Sequence, residues 1–134
     1  MGSGAYGHVW KVLDRKNKHP FALKKIFDAF QNSTDAQRTY RELVLLSQLD
    51  HPHIVKLEKA IRAKNNRDLY LVFELVEADL HSLVGEQVLG QAHLRFVCSQ
   101  LLRALAYLHS AQLIHRDLKP SNVLINSDCR SKTS

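Results

Sequence analysis

His115-Arg116-Asp117-Leu118-Lys119-Pro120-Ser121-Asn122 sets a carboxylate, a cation and an amide at fixed offsets in one polar loop. Each of these groups has a use in moving a phosphoryl group. A carboxylate at Asp117 can orient an attacking hydroxyl and accept its proton. The ammonium of Lys119, two residues on, can neutralise charge developing on the transferred group. Asn122, five residues after the acid, offers an amide oxygen to a magnesium ion. Pro120 stiffens the intervening backbone through its fixed φ. A merely polar turn after a helix would have to produce all eight residues by coincidence.

Toward the N-terminus, Gly2, Gly4 and Gly7 form G-x-G-x-x-G, extended by Val9 to G-x-G-x-x-G-x-V. Glycines let backbone amides approach phosphate oxygens with no side chain in between. Dinucleotide-binding folds share this spacing but need a helix directly after the glycines, and here a strand pattern follows. Asp28 near the ribose-binding offset is therefore a decoy. Lys24 shares a strand face with Ala22, whose small side chain leaves room for a flat ligand, and its ammonium suits phosphate. Glu42 on the following helix is the candidate carboxylate to position Lys24. Lys25 reads as an ordinary surface lysine.

Alternation and turn residues outline the rest of the chain. Strands are predicted at 8–13, 21–27, 53–57, 68–73, 113–114 and 123–125. A helix capped by Thr34 with Gln37 carries a stripe of Ala36, Tyr40, Leu43 and Leu46. A short helix follows Asp79, and a long one spans 91–110 with Leu94, Val97, Cys98, Leu101, Leu105 and Leu108 on its apolar face. The fold class is α+β. With 134 residues, 45% of them hydrophobic, the chain can bury a core. The formal charge is +6, but the basic residues are scattered and aromatics make up 7%, so no nucleic-acid partner is expected. Two cysteines are too few for a zinc cluster or disulfide framework, and Cys98 is expected to be a reduced core residue. His51-Pro52-His53 reads as a helix-ending turn. No stretch has the form of a signal peptide or spanning helix, so no membrane partner is expected and a cytoplasmic location with nuclear access is.

Taken in order and at these intervals, the glycine loop, Phe21-Ala22-Leu23-Lys24, Glu42 and 115–122 resemble a eukaryotic protein kinase. Lys119 within Asp-Leu-Lys-Pro-Ser-Asn is similar to serine/threonine kinases. Residues 72–81 resemble the hinge of mitogen-activated protein kinases, and 27–38 are most similar to the atypical mitogen-activated protein kinase 15 branch. The resemblance implies a small lobe and hinge over 1–76, an antiparallel sheet plus one helix. It implies the first part of a helical large lobe over 77–130, and a tail outside the family pattern over 131–134. It also implies ATP and Mg2+ as cofactors. Gly2, Gly4 and Gly7 would lie at the phosphates. Val9 and Ala22 would cover the adenine from above and Leu124 from below. Phe73 would be the gatekeeper, the backbone of Glu74 and Val76 would bond the adenine edge, and Asp79 would approach the ribose. Lys24 and Glu42 would pair, and Arg116 would meet a phosphorylated activation loop. Protein substrates would be phosphorylated on Ser or Thr, followed by Pro by family only.

Met1 stands where the resemblance has an apolar strand residue, and Ser131-Lys132-Thr133-Ser134 stands where it has an apolar strand leading to Asp-Phe-Gly. Neither Asp-Phe-Gly nor an activation segment occurs within the 134 residues. Asn122 is then a single metal ligand in an incomplete magnesium site. The stretch alone is expected to be inactive, or a non-catalytic form that binds nucleotide or a partner. An exposed apolar patch on the 91–110 helix is expected to favour aggregation or chaperone association.

Overall fold

Asp14 closes the hairpin between residues 7–13 and 20–26. Its Oδ1 accepts the amides of Lys16 at 2.7 Å and Asn17 at 3.2 Å, and Lys18 takes the left-handed conformation at φ 60° that completes the turn. These backbone bonds hold the Asp14 carboxyl below the ordinary carboxylate range. The strands on either side, β2 (Gly7–Leu13) and β3 (Pro20–Ile26), pair antiparallel with Val9 opposite Lys24 and Lys11 opposite Ala22. This computed structural model describes Ser3, Gly4 and residues 7–134. Gly2 lies outside the described residues. β1 (Ser3–Gly4) adds to β2, with Gly4 opposite Gly7.

Further along the chain come α1 (Ser33–Gln48), β4 (Leu57–Arg62) and β5 (Leu69–Glu74), which complete a five-stranded sheet in the order β1-β2-β3-β5-β4. The capping pair of α1 differs from the expected Thr34 and Gln37. Asn32 Oδ1 accepts the Asp35 amide at 2.8 Å, and Asn32 Nδ2 returns a bond to the Asp35 carboxylate at 3.0 Å. The short side chain of Asn32 reaches the first-turn amides from just outside the helix. Ala29, Leu69 and Leu71 form the core of this unit, with Ile26, Phe30, Leu43, Leu46, Leu57 and Phe73 packed against it. Tyr40, expected in the helical stripe, is 68% exposed. Only Leu43 and Leu46 of the expected stripe reach this core, so α1 covers the sheet with a narrow face.

Lys25 differs from the expected surface lysine. Its Nζ lies 2.9 Å from Asp68 Oδ2 and stands over the Phe27 ring at 4.5 Å. Asn65 Nδ2 and the Asp28 amide also bond the Asp68 carboxylate. The Lys25 bond, then Asn65, then the Asp28 amide pull the Asp68 carboxyl from 3.8 to about 2, while the same ion pair raises Lys25. A depressed folded-state value means that Asp68 stabilises the unit fully above the unfolded value of 3.8 and stops doing so as pH falls through about 2. Urea unfolding of the native chain and of Asp68→Asn should therefore differ most above pH 4 and converge toward pH 2. A gap independent of pH would show that the Asp68 charge plays no part.

The second unit takes Asp50–Val55 and Val76–Ser134, whereas the first holds Met1–Leu49 and Lys56–Leu75. Here β6 (Ala78–Asp79), β7 (Val123–Ile125) and β8 (Ser131–Thr133) form a three-stranded sheet in that order. α2 (Leu80–Gly85) follows β6, and α3 (Gln91–Ser110) spans the range its periodicity predicts. Val97 packs with Val123 and Ile125 as the core, joined by Leu80, Leu83, Leu89 and Leu101. Cys98 is exposed rather than in the core, because the buried face of α3 runs through Val97, Gln100, Ala104 and Leu108. Phe96 and Leu102 are also exposed. Among the described residues, no helix is long and apolar enough to cross a membrane.

Two expected strands are absent here and one unexpected strand forms. Residues 131–133, expected to be a tail, form β8. The expected strand at 53–57 is absent: Ile54 makes only an isolated bridge to Thr133, and the strand starts at Leu57. His53 instead follows a turn in which its amide donates to His51 Nδ1 at 3.1 Å. Leu113 and Ile114 are not a strand either, and Ile114 is 70% exposed.

Ser131 and Thr133 are buried on β8, where neighbouring groups receive the strand's backbone. Gln100 Oε1 accepts the Ser131 amide at 3.1 Å, Gln100 Nε2 donates to the Cys129 carbonyl at 3.0 Å, and His53 Nδ1 donates to the Ser131 carbonyl at 3.1 Å. The Ser131 hydroxyl is buried and has no hydrogen-bond partner among the described residues. An unmet buried hydroxyl costs about 1–3 kcal/mol. Ser131→Ala should accordingly raise stability by about 1 kcal/mol in urea unfolding, and a loss of that size would mean the hydroxyl is satisfied.

Candidate active site

The loop between α3 and β7 is drawn inward on itself. Lys119 Nζ lies 3.1 Å from Asp117 Oδ2. Asn122 Nδ2 donates to the same carboxylate oxygen at 2.9 Å and to the Asp117 carbonyl at 2.8 Å. These bonds, Lys119 first and Asn122 second, hold the Asp117 carboxyl below its ordinary value. Pro120 starts a single 3-10 turn over Pro120–Asn122, and this turn carries the amide of Asn122 back beneath the carboxylate. Arg116 has φ 67°, a left-handed conformation for a bulky residue that its neighbours must hold in place. The structure thus brings Asp117, Lys119 and Asn122 together. Its carboxylate is ionised, exposed to solvent and fixed in direction. Such a group can accept a hydrogen bond from an incoming hydroxyl and turn it toward an electrophile.

Asn122 uses its amide nitrogen on Asp117. That leaves Oδ1, a hard oxygen donor of the kind magnesium takes. Asn122 therefore fits the role of a metal ligand, while the described residues contain no group of three or more His, Cys, Asp or Glu placed to hold an ion.

In the sheet, register puts several predicted nucleotide-side residues together. Val9 pairs with Lys24 across β2 and β3, and Ala22 pairs with Phe73 across β3 and β5. Directly opposed residues share a face, as do residues two apart, so Val9, Ala22, Lys24 and Phe73 line one side. Glycines at the β1–β2 pair, Gly4 opposite Gly7, end the same ribbon. Phe73 also packs into the core of its unit. Glu74 Oε1 accepts the Lys56 amide at 2.9 Å, which fixes the strand end. Glu42 is exposed on α1, and no ion pair joins it to Lys24; the expected pairing is not formed.

The second unit holds the remaining candidates. Val76 is buried. Leu124 is half-buried between the buried Val123 and Ile125 and pairs with Asp79 across β7 and β6. Asp79 caps α2: its carboxylate accepts the Ser82 amide and the Ser82 hydroxyl, both at 2.9 Å. Burial raises the Asp79 carboxyl, but the two Ser82 bonds outweigh it and the net direction is down. Thr133, whose Oγ1 lies 2.8 Å from His115 Nε2, and Gln100 belong to no motif in the sequence. A polar residue on the apolar stripe of α3, and hydroxyls at alternate positions of 131–133, were the available signals.

The protein kinase domain family matches residues 1–133. The chain belongs to the protein kinase family. Among its relatives are extracellular signal-regulated kinase 2 of Dictyostelium discoideum, 54% identical across 100% of this chain and 37% of that protein. Extracellular signal-regulated kinase 7 of Drosophila melanogaster is 54% identical across 100% of this chain and 15% of that protein. Mitogen-activated protein kinase 15 of Caenorhabditis elegans is 51% identical across 98% of this chain and 28% of that protein. The kinase chain thus spans about a third or less of the length of these relatives. The resemblance read from 27–38 and 72–81 points to the same group. The five-stranded antiparallel sheet with α1 is that of a kinase small lobe, and the second unit matches part of the large lobe. The kinase match extends over 131–133, which the structure folds as β8.

Proposed function

We propose that this kinase domain contributes to ATP-dependent phosphorylation of protein serine and threonine residues within a mitogen-activated protein kinase. The observation that carries the proposal is the arrangement of Asp117, Lys119 and Asn122 on one carboxylate. Protein kinases generally use ATP and Mg2+; when bound, they supply the phosphoryl group and charge neutralisation around it. Asp117 orients the acceptor hydroxyl and receives its proton at Oδ1 or Oδ2. Lys119 steadies that carboxylate and offers positive charge to the transferred group. Asn122 would hold the metal through Oδ1. On the first unit, Lys24 would bind phosphate, and Val9, Ala22 and Phe73 would bind the nucleotide. On the second unit, Val76, Asp79 and Leu124 would do so. Acceptors with Ser or Thr before Pro follow from the relatives' group.

The test is magnesium-dependent transfer of the ATP γ-phosphate to such a peptide by the protein that carries this stretch. Transfer that requires Mg2+ and Asp117 supports the proposal. An absence of transfer, or transfer undiminished in Asp117→Asn, would reject it.

A further inference from the structure

Thr133 is 2% exposed on β8, where the family pattern has an apolar residue, so its buried hydroxyl calls for an account. Its backbone is held from three directions. The amide donates to the His53 carbonyl at 3.0 Å, the carbonyl accepts the Val55 amide at 2.9 Å, and the residue pairs with Val123 across β7. From this fixed backbone, Oγ1 lies 2.8 Å from His115 Nε2. The other ring nitrogen, Nδ1, lies 3.3 Å from the Asp117 amide nitrogen.

These two contacts determine each other. A backbone amide only donates, so Nδ1 must carry the lone pair. In a neutral ring the proton then sits on Nε2, and Thr133 Oγ1 accepts it. The opposite tautomer would set Nδ1–H against the Asp117 N–H, donor against donor. We infer that Thr133 is a positioning residue for Asp117: its hydroxyl accepts the Nε2–H that the Asp117 amide's bond to Nδ1 requires, and so holds the His115 ring where it anchors that amide. The carboxylate end of Asp117 is already fixed by Lys119 and Asn122. The His115 contact fixes its backbone end, directly after Arg116, whose left-handed φ of 67° needs an outside restraint. Valine would fill the space of threonine but offers the Nε2–H no acceptor. The catalytic consequence rests on the proposed kinase function, whereas the tautomer does not.

The experiment is long-range 15N–1H NMR of the histidine rings, with hydrogen exchange at the Asp117 amide. It uses the 134-residue chain as native protein, Thr133→Ser and Thr133→Val. The native chain and Thr133→Ser should both show His115 protonated at Nε2. Thr133→Val should show mixed tautomers and about tenfold faster exchange at Asp117, the scale of one lost hydrogen bond. A native His115 protonated at Nδ1 would overturn the inference, and that measurement needs no variant to fold. So would a Thr133→Val chain indistinguishable from native in both readouts. The Nε2–H tautomer in a protein that transfers no phosphate would support the positioning role while counting against the kinase function.

Discussion

Gln100→Leu is expected to destabilise the second unit by about 3 kcal/mol. Leucine matches glutamine closely in volume, so the substitution isolates polar bonds from packing. Gln100 is 2% exposed on the face of α3 that also buries Val97, Ala104 and Leu108. Its side chain receives the Ser131 amide and donates to the Cys129 carbonyl. Both backbone groups would lose their partner in a region closed to water, at about 1–3 kcal/mol each. The apparent midpoint of thermal unfolding should fall by about 10 °C. Arg103→Leu on the exposed side of the same helix is the control and should stay within about 0.5 kcal/mol of native. A loss under about 1 kcal/mol for Gln100→Leu would mean that β8 finds water or a new partner once the glutamine is gone.

Asp117→Asn should lower the phosphoryl-transfer rate of the protein carrying this domain by about 10²–10⁴-fold, the usual contribution of a positioned acid or base. Asparagine keeps the shape but removes the charge that Lys119 and Asn122 now hold in place. Those two bonds also lower the Asp117 carboxyl, which makes it a poor base at neutral pH. In the proposed reaction its contribution would therefore be chiefly orientation of the hydroxyl, with the proton accepted late. Because the folded value is depressed below the ordinary 3.8, Asp117 stays ionised at every pH above that value. The rate profile should accordingly show no acidic limb from this residue above that pH. An acid limb near neutrality that vanishes in Asp117→Asn would contradict this orienting role.

The parts legible in the sequence are those that local chemistry decides. The long helix, the 123–125 strand and the contacts within the 115–122 loop are readable because their periodicity, turns and side-chain offsets lie within a few residues. The Asp117–Lys119–Asn122 cluster is a short-range object of this kind. The α1 cap is not decided locally: Asn32 lies just before the periodic run, and Thr34 offers an equally good local pattern.

Other features depend on partners far along the chain. Ser131-Lys132-Thr133 has no strand composition of its own; β7, residues 53–55 and Gln100 make it one. Ile54 and Val55 look like a strand yet bury their side chains in the second unit without extending a sheet. Lys24 and Lys25 are adjacent, and only the position of Asp68 determines which of them gains a carboxylate.

The chain crosses from the first unit to the second at Asp50, returns at Lys56 and crosses again at Val76. During synthesis, residues 53–55 emerge early, but the Thr133 backbone groups they pair with are made near the other end of this stretch. The ribosome adds about 5–20 residues per second, so Ile54 and Val55 wait for seconds with their apolar side chains uncovered. The first unit can close its sheet in that interval once β5 has appeared. The second cannot finish until β8 is out, and its final step is a long-range closure rather than a local hairpin. No single cut separates the two units, so a chain begun at Val76 would lack the 53–55 segment that helps to hold Thr133 in place.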